Sequence, residues 1–183
     1  MLRILLVLLV TSFSAWAQAQ TEDEDDLGGT LNPEEMSMNK MLERALNGDV
    51  DIAVCGQGYM MTKGGRHGEA RKVFENCAKA GYTGTMTWMS YMESNGFGGD
   101  YDPDAAAEWD RQAAEAGDPV GMFNYGLDLM RGHGVPYDEE AGRAYVDRAA
   151  DLGLKIAKRL QNANYDLDEV TPDADNWKYA PGS

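Results

Sequence analysis

The sequence predicts an all-α protein, an α/α solenoid (superhelix) of about three helical hairpins with capping helices. Gly81, Gly117 and Gly153 stand at a constant interval of 36 residues, and an alanine-containing segment precedes each of them. An aspartate followed by a proline, which is a typical helix start, stands at Asp102 and Asp118. A long repeat with regular helix starts and glycine stops is typical of stacked helical hairpins.

The first 19 residues have the pattern of a cleaved export signal. Arg3 gives a short positive start, residues 4–10 form an unbroken apolar run, and residues 17–19 (Ala-Gln-Ala) match the small-x-small cleavage pattern. A membrane anchor is the alternative, but the apolar run is much shorter than the roughly 20 residues that a spanning helix needs. We predict cleavage before Gln20 and a mature protein that is periplasmic or secreted, with no membrane insertion.

The charge of the chain argues against nucleic acid as a partner. The 183 residues include 31 Asp and Glu against 16 Lys and Arg, which gives a formal net charge of −15. A surface this acidic repels phosphate backbones and anionic lipid headgroups. Residues 22–26 are all acidic, so we expect residues 20–31 to form a disordered arm. We expect the protein to be a monomer.

The 36-residue register extends through the second and third repeats. Pairs that match at this interval are Gly96 and Gly132, Gly98 and Gly134, Tyr101 and Tyr137, Asp102 and Asp138, and Trp109 and Tyr145. The register predicts repeats at about 49–81, 82–117 and 118–153. Each repeat is expected to contain two helices.

The best-defined helices lie in the second and third repeats. Asp102 and Pro103 start a helix whose alanines follow at helical spacing until Gly117 ends it. Asp118 starts the next helix at once, and we expect that helix to run to about Arg131, before a Gly-His-Gly sequence.

The first repeat is shorter and less regular. We predict that Asp49 caps a helix through Thr62 and that a second helix runs from about Gly68 to Ala80. Capping helices should flank the repeats, because the end units of such arrays would otherwise expose an apolar face. They are predicted at 32–48 and 154–163, and a C-terminal tail at 164–183.

The pattern of small and aromatic residues resembles the Sel-1-like repeat (SLR), a relative of the tetratricopeptide repeat. The residues that carry the resemblance are Gly117, Gly121, Tyr125, Gly126, Gly132, Gly134, Val135, Asp138, Tyr145, Ala149, Ala150 and Gly153. The resemblance covers roughly residues 49–160. In the second repeat, Ser90 and Glu93 replace the small and large residues expected. The resemblance implies a right-handed superhelix that serves as a scaffold for protein–protein contacts, and it implies no reaction.

Function follows mainly from this resemblance. It implies an exported adaptor that binds a protein or peptide partner and regulates an envelope receptor or assembly. Two alternatives are a hydrolase or binder acting on β-lactams or cell-wall fragments, and a purely structural envelope component. The sequence has no nucleophile elbow, metalloprotease motif or phosphate loop. We therefore expect no enzyme activity, no catalytic or metal-binding residues and no cofactor.

Cys55 and Cys77 are the two cysteines of the chain. They lie on the two predicted antiparallel helices of the first repeat, at similar distances from the turn between them, which makes a bridge feasible. The compartment indicated by the signal sequence is oxidising. We predict a disulfide, and the alternative is two buried free thiols.

Two other sets of residues have the wrong pattern for a metal site. Residues 100–104 have the D-x-D-x-D spacing of a calcium loop, but Ala105 and Arg111 stand where glycine and glutamate are needed. His67 and His133 belong to different repeats and are expected to be ordinary loop residues.

A partner-binding surface is predicted on the first helices of the hairpins. Trp88 and Met92 align with Asn124 and Asp128 one repeat later, on the face away from the packing glycine. An exposed Trp–Met pair, with Tyr91 beside it, would anchor a partner segment. We predict these five residues as the partner-binding set.

Overall fold

The computed structural model describes residues 37–170, and these residues form eight α-helices and one short 3-10 helix, without strands. The helices are α1 (Met38–Leu46), α2 (Ile52–Lys63), α3 (His67–Lys79), α4 (Thr83–Glu93), α5 (Pro103–Glu115), α6 (Pro119–Arg131), α7 (Glu139–Asp151) and α8 (Lys155–Asn162), followed by the 3-10 helix Leu167–Glu169. Helix α2 packs on α3, α4 on α5 and α6 on α7. The all-α class and the solenoid of helical hairpins are confirmed.

Several predictions concern residues outside those described. They are the signal sequence at 1–19, the acidic arm at 20–31, the start of the first capping helix at 32–36 and the tail from residue 171. No helix within residues 37–170 is long and apolar enough to cross a membrane.

Aspartate side chains cap the starts of four helices. The carboxylates of Asp102, Asp118 and Asp138 accept hydrogen bonds from the first-turn amides of α5, α6 and α7. The prediction that Asp49 caps α2 is wrong, because Asp51 does so and accepts from the Val54 amide at 2.8 Å. The Asp49 carboxylate instead pairs with Arg44 of α1 at 2.7 Å.

The three glycines at the repeat interval end the second helix of each hairpin in the same way. Gly81, Gly117 and Gly153 have φ values of 91°, 89° and 94°. This left-handed conformation is one that glycine adopts without strain. The residue after each glycine donates its amide to a carbonyl five positions earlier; one example is the bond from Asp118 to Ala113, at 3.0 Å. The next first helix therefore leaves each turn in the same direction.

Small residues let the two helices of a hairpin approach closely. A Cβ atom on Gly126 of α6 would lie 2.8 Å from the carbonyl oxygen of Gly142 and 3.0 Å from a Val146 methyl group of α7. A Cβ atom on Gly58 of α2 would likewise lie too close to the ring of Phe74 on α3. Gly58 and Gly126 therefore mark places where the two helices of a hairpin are in close contact.

The buried apolar side chains form two clusters. The first cluster belongs to α1–α4: Met41, Ala45, Val54, Cys55, Met61, Ala70, Val73, Phe74, Cys77, Met89 and Met92. The second belongs mainly to α6–α8: Ala114, Met122, Phe123, Leu127, Met130, Val146, Ala149, Ala150, Ala157, Leu160 and Val170. Polar side chains of α4, α5 and α6 meet between them.

Covalent and ionic links reinforce the first cluster. Cys55 of α2 and Cys77 of α3 are joined by a disulfide with a Cα–Cα distance of 5.9 Å, and both residues are buried. Arg71 of α3 pairs with the buried Glu93 of α4. These links hold α2, α3 and α4 together, and those three helices build the pocket described next.

Candidate functional site

A pocket of about 440 Å³ opens between α2 and α4, the first helices of the first two hairpins. Its size suits one or two large side chains rather than a whole protein surface. None of its lining residues carries a charged side chain. They are Ile52, Cys55, Gly56, Tyr59, Phe74, Gly81, Tyr82, Thr83, Gly84, Thr85 and Trp88.

The base of the pocket is rigid. Phe74 is buried in the core, and the ring of Trp88 stacks on it at a centroid distance of 5.8 Å and an interplanar angle of 12°. Cys55, one half of the disulfide, also lines the pocket. A base fixed by packing and a covalent bond needs little ordering when a ligand binds.

The walls of the pocket expose large apolar side chains. Ile52 at the start of α2 is 77% exposed and Tyr59 is 39% exposed. The rings of Tyr59 and Trp88, which both line the pocket, are in tilted contact, with centroids 5.2 Å apart and an interplanar angle of 58°. Apolar groups in this setting would lose unfavourable contact with water if a partner covered them.

Two glycines keep the pocket open. A Cβ atom on Gly56 of α2 or on Gly84 of α4 would meet no other atom within 4 Å. These positions therefore differ from Gly126, where the missing side chain allows a helix contact. At Gly56 and Gly84 the missing side chain leaves open space.

The pocket is an uncharged region of an acidic protein. Among the Asp, Glu, Lys and Arg residues, α2 contains only Lys63 and α4 contains only Glu93, which is bonded to Arg71. The second helices of the hairpins carry most of the charges, as in the sequence of α7, Glu-Glu-Ala-Gly-Arg-Ala-Tyr-Val-Asp-Arg-Ala-Ala-Asp. The first helices of these two hairpins thus offer apolar and neutral groups to a partner.

The structure places the predicted partner-binding residues in three different environments. Trp88 lines the pocket, and Tyr91, 46% exposed, packs edge-on against it with ring centroids 5.5 Å apart. The prediction of an exposed Trp–Met pair is wrong, because Met92 is completely buried. Met92 lies three residues after Met89, so both side chains point from the same face of α4 into the core.

Asn124 lies away from the pocket in a group that we call the Asp110 cluster: Ser90 of α4, Asp110 of α5 and Asn124 of α6. The Ser90 hydroxyl donates to one carboxylate oxygen of Asp110, and the Asn124 amide donates to the other at 3.1 Å. Asp110 is 3% exposed, and burial raises its pKa to about 8 although both hydrogen bonds act in the opposite direction.

Asp128 is also buried rather than exposed to solvent. It is 9% exposed, so its predicted place on an accessible partner-binding face is wrong. One carboxylate oxygen lies 3.3 Å from His133 Nδ1, and the other is buried without a hydrogen-bond partner among the described residues. Burial raises the pKa of Asp128 to about 7, and the nearby Arg131 opposes this shift.

Residues 37–170 contain no group of three or more His, Cys, Asp or Glu side chains suited to a metal ion. Asp102, the middle residue of the D-x-D-x-D sequence, caps α5 through a 3.0 Å bond to the Ala105 amide. His67 stacks on Phe97 with ring centroids 4.6 Å apart. Both residues have structural contacts of their own.

Comparison with known families identifies the repeats. Residues 85–118 and 119–154 each match the model of the Sel1 repeat. The chain contains two Sel1 repeats. Such repeats form a scaffold that typically mediates protein–protein interaction. Both matched Sel1 repeats follow α2 and α3, so one wall of the pocket and the disulfide belong to the part of the solenoid that precedes them.

Solved Sel1-like structures share the fold. A Sel1 repeat protein from Oxalobacter formigenes matches with 24% identity over 68% of this chain and 97% of its own, with a TM-score of 0.57. Helicobacter pylori cysteine rich protein B matches with 15% identity over 73% and 98%, and a TM-score of 0.56. No curated protein matches the chain.

A third solved structure is a protective antigen of uropathogenic Escherichia coli that displays an SLR fold. It matches with 18% identity over 75% of this chain and a TM-score of 0.50. The match spans only 35% of that longer protein. At these identities the three structures establish the shared Sel1-like fold.

Sequence reasoning missed one wall of the pocket. Ile52, Gly56 and Tyr59 recur at the helical spacing i, i+4 and i+7 on a face of α2 that the core does not use. The core instead takes residues such as Val54 and Met61. The sequence feature that indicates this wall is the set Ile52, Gly56 and Tyr59, which lies at helical spacing and contains no charged residue.

Proposed function

We propose that this Sel1-like repeat protein is an exported adaptor whose α2–α4 pocket binds a segment of a partner protein, and that it thereby regulates an envelope receptor or assembly. The observation that supports the proposal is an uncharged pocket, lined by exposed Ile52 and Tyr59, on a chain with a net charge of −15. Exposed apolar groups around a preformed cavity are typical of protein-binding sites.

The energetics favour insertion of a single anchoring side chain. Full burial of an aliphatic or aromatic side chain contributes about 1.5–3 kcal/mol. Because Phe74 and Trp88 are already stacked, little free energy is lost in ordering the pocket itself. Tyr91 would extend the contact beyond the pocket.

Export is supported by two independent features. The first 19 residues have the sequence pattern of a cleaved signal, and Cys55 and Cys77 form a disulfide, which is rare in the reducing cytosol. A periplasmic or secreted location would keep that bond and with it the rigid base of the pocket.

Site-specific photo-crosslinking in cells tests the proposal. A photoreactive amino acid replaces Ile52, which is exposed and lines the pocket, or Lys72, which is exposed on α3 outside it. We expect one dominant protein adduct from position 52 and none of that adduct from position 72. Mass spectrometry of the adduct identifies the partner.

The proposal is wrong if both positions yield the same adducts, because the surface would then be contacted without preference. It is also wrong if position 52 yields no adduct while the protein is folded and exported. Thermal melting of each labelled protein controls for folding.

A further inference from the structure

The chemistry of the partner segment can be inferred from the charges around the pocket, given the binding function proposed above. The pocket lies at the N-terminal ends of α2 and α4, where backbone amides make each helix end partially positive. An anionic partner group would be favoured there if no carboxylate were already present.

Carboxylates are present at both helix ends. Asp51 caps α2 through the Val54 amide at 2.8 Å. Asp118 accepts a hydrogen bond at 2.6 Å from the hydroxyl of Thr83, which is the first residue of α4 and lines the pocket. The positive ends of α2 and α4 are therefore offset by negative charge.

The two carboxylates differ in how much negative charge remains available to a partner. Asp51 also pairs with Arg44 at 2.9 Å, but Arg44 pairs with Asp49 as well, so Asp51 has only a share of this positive charge. Asp118 accepts from Thr83 and from the amides of Val120 and Gly121, all of which are uncharged donors. The mouth of the pocket on the α4 side thus keeps an acidic character.

The interior of the pocket, in contrast to its mouth, disfavours a charged group. Its lining carries no charge, and burying an ionised group there without a partner would cost several kcal/mol. A ligand must therefore place an apolar group inside and any charge at the mouth.

We infer that the pocket takes an aliphatic or aromatic side chain from a basic segment of the partner protein, with a lysine or arginine of that segment beside Asp118. The net charge of −15 attracts such a segment over longer distances. An acidic segment would be repelled both by the chain as a whole and at the mouth.

Three short synthetic peptides test the inference on the purified protein. One has a central leucine flanked by lysines, the second has serine in place of leucine, and the third has glutamates in place of lysines. We expect the leucine–lysine peptide to bind and the serine peptide to bind about tenfold more weakly, since one buried side chain is lost. Binding of the leucine–lysine peptide should weaken as salt is added.

Matched variants locate the binding. Gly56→Leu and Gly84→Leu fill the pocket from open positions, whereas Gly68→Leu adds the same side chain at an open helical position of α3 outside it. We expect about a tenfold loss of affinity for each of the first two and none for the third. Circular dichroism checks that all three are folded.

A second pair of variants tests the charge at the mouth. Asp118→Asn and Asp138→Asn each remove one carboxylate, and asparagine remains a good helix cap. Only the first should weaken the leucine–lysine peptide, by about threefold to tenfold, and reduce the effect of salt.

The outcomes separate this inference from the proposed function. If the glutamate peptide binds as tightly as the lysine peptide, or if the leucine–lysine peptide fails to bind, a basic partner segment is wrong. The pocket function then still stands if Gly56→Leu reduces the photo-crosslinked adduct. If Gly56→Leu and Gly68→Leu behave alike in both assays, the pocket itself is wrong.

Discussion

Asp110 is a buried residue at which the second repeat departs from an apolar core. One repeat later the same position is Val146, which is completely buried among apolar side chains. Asp110 is buried nearly as well, and its partners Ser90 and Asn124 are neutral. Burial disfavours the ionised form of the carboxylate, and the nearby negative charges of Asp128 and Asp118 add to this effect, so the pKa of Asp110 rises.

The raised pKa of Asp110 predicts stability that falls as the pH rises. The pKa of Asp110 is about 8 in the folded protein against an ordinary value of 3.8, so between these values the folded state holds a proton that the unfolded state has lost. The free energy of unfolding must then decrease across this window. Asp110→Asn should weaken that dependence and stabilise the protein by on the order of 2 kcal/mol above pH 8.

Urea unfolding at a series of pH values measures this effect. Asp128, with a pKa raised to about 7, contributes in the same direction, so some dependence should remain in the variant. Equal pH profiles for Asp110→Asn and the parent protein would contradict the account.

The roles of some residues could be predicted from the sequence, and the roles of others could not. Asp102 and Asp118 were predicted as caps because Asp-Pro at a helix start is a local signal. The burial of Met92 was missed because it depends on how α4 is rotated toward α1–α3, which the sequence of α4 alone does not determine.

At the scale of helices, the close approach of α6 and α7 depends on Gly126. Gly126→Ala would place a methyl group 2.8 Å from a backbone oxygen of α7, which cannot move without the whole helix. We expect a loss of about 1–3 kcal/mol from this overpacking, larger than the gain in helix propensity of up to about 1 kcal/mol. Differential scanning calorimetry should show a lower Tm.

Gly68→Ala provides the comparison, because its Cβ atom would meet nothing within 4 Å. That variant should melt at the same temperature as the parent protein or slightly above it. If Gly126→Ala is equally harmless, the helix contact at this glycine is not as close as described.

The disulfide between α2 and α3 leads to a second prediction at this scale. Cross-linking residues that are 22 positions apart should stabilise the protein by about 3 kcal/mol in the chain-entropy model. Thiol titration of the protein, unfolded without reductant, should find no free thiols. Cys55→Ser combined with Cys77→Ser should lower the Tm. Two titratable thiols would contradict the bond.

The helices of the later repeats were easier to predict than those of the first. In α5 and α6, glycines, prolines and caps all indicate the same boundaries. Near α2, Asp49 and Asp51 are both suitable caps by sequence, and both carboxylates pair with Arg44 of α1. The local sequence therefore does not distinguish them, and in the structure it is Asp51 that accepts from the Val54 amide.

For the whole molecule, the repeat predicted the solenoid but not where its uncharged pocket lies. The pocket needs Ile52 and Tyr59 from one hairpin and Trp88 from the next, so it exists only after the hairpins stack. The Sel1 repeat matches cover residues 85–154 and do not include the hairpin of α2 and α3. The pocket arises where the preceding hairpin, with its glycines and its disulfide, meets the first matched repeat.

The most direct test of the account is the affinity of the photo-crosslinked partner, once it has been identified and purified. Isothermal titration calorimetry would compare the parent protein with Gly56→Leu and Gly68→Leu. We predict that Gly56→Leu binds at least about tenfold more weakly and that Gly68→Leu binds like the parent. Equal affinities for all three folded proteins would contradict the claim that the α2–α4 pocket is the binding site.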